Sequence, residues 1–141
     1  METAIEQLRK LVIEGKESIP NRGVRTFTLL QELTFIENRK QVDYFLAMHR
    51  YVKELTSMPD ALIGPGRRWM TASHVCHALG ITNICLGSIR LTPIDFWGDE
   101  YSDTTMDIEV DEDTYDWAYF KATEVFGYDN VARTSDIDNI Q

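Results

Sequence analysis

Ala61-Leu62-Ile63-Gly64-Pro65-Gly66-Arg67-Arg68-Trp69 is the stretch on which the reading of this chain turns. A short apolar run, a candidate buried strand, meets a Gly-Pro-Gly turn, and the chain re-emerges in a helical pattern from about Met70 to Leu79 that Gly80 stops. Strand, glycine turn and helix together can aim backbone N–H groups and a guanidinium at phosphate oxygens. Gly64 and Gly66 permit close backbone approach, and Arg67 supplies the guanidinium. On its own, a Gly-Pro-Gly turn feeding a helix is more often only a turn.

Upstream of the turn the pattern is helical throughout. Thr3 and Glu6 have capping-box spacing ahead of a stripe of Ile5, Leu8, Leu11 and Val12, and Gly15 is placed to close that helix in a left-handed conformation. Pro20, Asn21 and Gly23 mark a turn. A second helix is expected from about Thr26 to Asn38 with Leu29, Leu30, Leu33 and Ile36 inward. A third runs from about Val42 to Leu55 with Phe45, Leu46, Met48, His49 and Val52 inward, and Pro59 ends this half.

Downstream the period changes. Met106, Ile108 and Val110 alternate with Asp107, Glu109 and Asp111, the pattern of a half-buried strand with carboxylates on its outer face. Asp113 can cap a following helix whose inward stripe is Tyr115, Ala118, Tyr119, Ala122, Val125 and Phe126, with Gly127 at its end. A last strand is expected near residues 130–133, while residues 85–103 carry no assignable pattern.

A length of 141 residues and 43% hydrophobic content suit one domain, read as a helical part over 1–58, a second part over 59–134 and a disordered tail over 135–141. No apolar stretch approaches the ~20 residues of a membrane span, so a cytoplasmic protein without membrane contact is expected. Cys76 and Cys85 lack C-x-x-C spacing and read as reduced thiols. The formal charge is −9, and residues 95–116 are crowded with carboxylates and hold no Lys or Arg. General nucleic-acid binding is disfavoured by that balance, so any basic footprint must be local, around Arg67, Arg68, Arg90 and the N-terminal half. The acidic run suits either a solvated face or Mg²⁺ ligation. His74 and His77 share a helical face as a zinc pair might, but ordinary, partly buried helix residues are the simpler reading for them and for Cys76.

Taken with its flanks, the glycine turn is specific. The run Ile63-Gly64-Pro65-Gly66-Arg67, then Ala72-Ser73, Val75, Ala78-Leu79-Gly80-Ile81-Thr82 and Ile84, resembles the palm region of the bacterial DNA polymerase III α subunit family. Glu32-Leu33, Ile36 and Tyr44-Phe45-Leu46 extend the likeness upstream. Met106-Asp107-Ile108-Glu109-Val110-Asp111 and Phe126-Gly127-Tyr128-Asp129-Asn130-Val131-Ala132 extend it downstream, over roughly residues 28–134. The resemblance implies an α/β (α+β) fold: a helical N-terminal half plus a small palm-like mixed sheet. It also implies nucleotidyl transfer, with strand carboxylates holding Mg²⁺ and the glycine loop holding a triphosphate. Alternate strand residues project from one face, which a two-metal site needs.

Departures from the family pattern are equally specific. Arg68 and Trp69 stand where the family has Gly-Ser, which puts bulk where phosphate would lie, or alternatively offers a phosphate-pairing fork and a stacking face. The two catalytic positions fall on Thr105 and Asp107 in one register and on Asp107 and Glu109 in the other. The family's third catalytic carboxylate and its triphosphate-binding lysine have no counterpart in these 141 residues. The expectation is therefore a catalytically degenerate member with residual metal, nucleotide or nucleic-acid binding, in which Gly64, Gly66, Arg67, Arg68 and Trp69 form a local basic loop for nucleotide or DNA and Asp107 and Glu109 are the metal and catalytic residues. The rivals are a minimal Mg²⁺-dependent nucleotidyltransferase and an adaptor that docks a protein partner through the acidic face.

Overall fold

The computed structural model describes residues 2–18, 26–61, 63–64, 70, 73–82, 106 and 108–132. Their order is α1 (Ala4–Ser18), α2 (Thr26–Asn38), α3 (Val42–Leu55), α4 (His74–Ala78), a 3-10 turn (Glu112–Thr114), α5 (Tyr115–Phe126) and a second 3-10 turn (Tyr128–Asn130). The first three helices start and stop for local reasons. The capping box forms as expected, Thr3 N donating to Glu6 Oε2 (3.2 Å) and Glu6 N to Thr3 Oγ1 (3.3 Å). At the other end of α2, Gln41 N reaches back to Ile36 O and Lys40 N to Glu37 O, with Lys40 at φ 58. This left-handed closure normally falls to glycine. Lys40→Gly is therefore expected to raise stability by about 0.5–1 kcal/mol, read as a higher urea midpoint at unchanged m-value.

One apolar core joins these helices. Leu8 and Val12 of α1, Leu29, Leu33 and Ile36 of α2, and Phe45, Met48 and Val52 of α3 are buried together with Val75 and Leu79 around α4. Leu30, expected inward, is 45% exposed, because the buried face of α2 runs through Glu32 instead. Gly15 does not end α1, which continues to Ser18. Its role is close approach: a Cβ built there would lie 2.6 Å from the carbonyl carbon of Ala78 and overlap the carbonyl oxygen. The backbone of α1 thus rests directly on the end of α4.

The expected α/β architecture is not what forms. Among the described residues there is no strand and no sheet, only an isolated antiparallel bridge between Ile63 and Val110. On the Val110 side the reason is local. Beyond Val110, Asp111 turns the chain into the 3-10 element, its carboxylate accepting from Thr114 N at 3.1 Å and also from the Thr114 hydroxyl. Asp113 therefore does not cap α5: Asp111 caps the 3-10 turn, and the N-cap of α5 is Thr114, with no side-chain bond. The expected strand near 130–133 is likewise replaced in part by a 3-10 turn, where Asn130 Nδ2 donates to Phe126 O at 2.7 Å. Leu62, residues 83–105 and the tail lie outside the described residues.

α5 packs on α3 through polar anchors at its apolar seam. Trp117 Nε1 donates to Leu55 O (3.1 Å) and Tyr51 Oη to Ala118 O (3.1 Å). Lys121 reaches Glu54 (3.5 Å) and Glu124 (3.0 Å) while lying 4.6 Å from the Trp117 ring centroid. Ala118 is the fully inward residue of this helix; Tyr115, placed inward by periodicity, is 45% exposed. None of the described helices is long and apolar enough to cross a membrane.

Candidate functional site

The glycine turn and the acidic stretch meet. Gly64 N donates to Glu109 O at 2.8 Å, and a Cβ built on Gly64 would lie 3.0 Å from both Glu109 Cβ and Glu109 Oε2. Glycine at 64 thus lets the Glu109 side chain lie close over it, while Glu109 itself stays exposed. Beside this junction is a cavity of about 280 Å³ lined by Val52, Thr56, Ala61, Ile63, Gly64 and Gly80–Thr82, so both ends of the glycine-turn block contribute to one wall. Of the residues expected to form the site, Gly64 and Glu109 are brought together. Gly66, Arg67, Arg68, Trp69 and Asp107 lie outside the described residues.

The start of α4 is where a strand–turn–helix motif would present donors to an anion. Here they are committed within the protein. Ser73 caps the helix, its Oγ accepting from Cys76 N at 3.1 Å and its hydroxyl donating to Glu32 Oε1 at 2.6 Å. His74 N and Val75 N donate to Glu32 Oε2 at 2.6 and 3.3 Å. Glu32 is fully buried, so its carboxylate is the internal anion of this helix. Periodicity carried the signal for this residue: Glu32 falls on the stripe Leu29, Leu33, Ile36, and a carboxylate on an apolar face needs a buried partner.

A second link ties the acidic stretch to α3. Met106 N donates to Tyr44 Oη at 2.9 Å, and Met106 is buried. Sequence reasoning placed Tyr44 in the resemblance but gave it no role, since its partner is 62 residues away. His74, Cys76 and His77 are all buried on α4. Burial pushes the Cys76 thiol far above its ordinary range, with Glu32 adding to the rise and Ser73 opposing it, so this cysteine is no nucleophile. Burial, helped by Lys53, holds the His49 imidazole below its ordinary pKa. Among the described residues no group of three or more His, Cys, Asp or Glu side chains could hold a metal. Of the two carboxylates expected to hold the Mg²⁺ implied by the resemblance, Glu109 is described and belongs to no such group, and Asp107 lies outside the described residues.

Gly64 bonded to Glu109 beside a helical core is the geometry over which the family match extends. The chain belongs to the bacterial DNA polymerase III α family: residues 4–141 match the model of the bacterial DNA polymerase III alpha NTPase domain. That domain, rather than a palm, is what the match names. Error-prone DNA polymerase 1 of Rhizobium meliloti (strain 1021) is 34% identical over 115 residues, which is 78% of this chain and 10% of that protein. Error-prone DNA polymerase of Sinorhizobium medicae (strain WSM419) is 34% identical over the same shares. The chain spans about a tenth of the length of these relatives.

Proposed function

We propose that this chain is a catalytically degenerate DNA polymerase III α-like domain that retains weak nucleotide binding at the glycine turn, through Gly64, Gly66, Arg67, Arg68 and Trp69 beside Asp107 and Glu109. The observation that carries the reading is the commitment of the α4 donors to Glu32. With those N–H groups filled by a carboxylate, phosphate recognition falls to the turn and its two arginines. In the family pattern Arg68 and Trp69 replace Gly-Ser at that turn. The joined Gly64–Glu109 pair supports a retained site, because it keeps the two motif segments in contact.

A primed-template assay with Mg²⁺ or Mn²⁺ tests the loss of catalysis: no deoxynucleotide incorporation above background is expected. Incorporation that vanishes in Asp107→Ala would instead establish the minimal nucleotidyltransferase. Nucleotide titration followed by thermal shift tests retention, since a ligand that binds only the folded state raises its stability. The expected result is a rise of the melting temperature at millimolar nucleotide that is lost in the double variant Arg67→Ala, Arg68→Ala. Exposure of Glu109, Glu112, Asp113 and Asp116 favours the second reading, an adaptor for a basic partner, and a silent titration would move the conclusion to it.

A further inference from the structure

We infer that Tyr44 is a positioning residue that sets where the acidic stretch lies on the glycine turn. Its partly buried ring packs against the apolar core from α3, edge-on to the fully buried Phe45, which holds its hydroxyl in place. Met106 N donates to that hydroxyl at 2.9 Å, and three residues further on Glu109 O accepts from Gly64 N at 2.8 Å. These two bonds bracket Asp107 in the sequence. In a regular sheet neighbouring rungs would share the task of holding register. Among the described residues Ile63 and Val110 form an isolated bridge, and the Tyr44 bond is a further anchor for the same stretch. The stretch is thereby referenced to α3, the helix that also lends Val52 to the cavity wall.

The consequence for ligand binding rests on the function proposed above; the positioning itself does not. The test compares Tyr44→Phe with Tyr51→Phe, which keeps the ring and removes a similar hydroxyl bond that ends on α5, at Ala118 O, and not on the acidic stretch. Loss of one net hydrogen bond predicts that the Gly64 amide exchanges with solvent about fivefold faster in Tyr44→Phe, with the Leu8 and Ile36 amides unchanged. Tyr51→Phe should leave Gly64 exchange as in the wild type. Unchanged Gly64 exchange in Tyr44→Phe, or equal acceleration in both variants, overturns the inference. Nucleotide titration of the same proteins should show weaker binding in Tyr44→Phe alone. A wild type that binds no nucleotide removes the functional reading, and Gly64 exchange then still decides the positioning role.

Discussion

Gly15→Ala should destabilise the protein by about 3 kcal/mol or more and lower its melting temperature by roughly 10 °C. The sign is what makes this informative. Within a helix, alanine is ordinarily preferred to glycine by up to ~1 kcal/mol, and Gly15 lies in the last turn of α1. Here the added Cβ would overlap the Ala78 carbonyl oxygen and stand 2.6 Å from its carbonyl carbon and 3.2 Å from its Cα. All three are backbone atoms, so no side-chain rotation relieves the clash. α1 and α4 would have to separate, opening the apolar contacts that Leu8 and Val12 make with the rest of the core. Thermal and urea denaturation check the expectation, and a stability equal to or above that of the wild type would show that the two helices do not touch in solution.

Glu32→Ala carries an effect of similar size, about 3–5 kcal/mol, for a different reason. Truncation removes the acceptor of the Ser73 hydroxyl and of the His74 and Val75 amides, and it does so where Glu32 and Ser73 are fully buried. A buried donor without an acceptor costs about 1–3 kcal/mol, and Glu32 satisfies several at once. Glu32→Gln should be milder but still destabilising, because its amide nitrogen would turn a donor toward donors. Ser73→Ala removes one member of the network. Its effect should combine with that of Glu32→Ala to less than their sum, as expected of groups that share a bond. Additive losses in a double-mutant cycle would show that the two residues act independently.

α2 and α3 were legible in the sequence to their ends because their apolar stripes follow the helical period and their flanks carry turn residues. Alternation over 106–110 was read as a strand in a sheet, which the structure corrects. Alternation says that one side of a segment is apolar; it does not supply a partner, and among the described residues the pairing amounts to the Ile63–Val110 bridge, after which Asp111 turns the chain away. Gly15 shows a second limit. A glycine can end a helix or let another backbone come close, and only the position of Ala78 distinguishes the two. At the candidate site, Gly64 and Glu109 were singled out and do meet, whereas the bonds that frame them, from Glu32 and Tyr44, span 41 or more residues. Local pattern carries no information about such pairings.

α4 holds five residues, far fewer than an isolated helix needs to persist in water. It exists because α2 fills its first turn with a carboxylate and α1 lies against its last carbonyl. In folding terms α4 is conditional: its order depends on α1 and α2 being in place against its two ends.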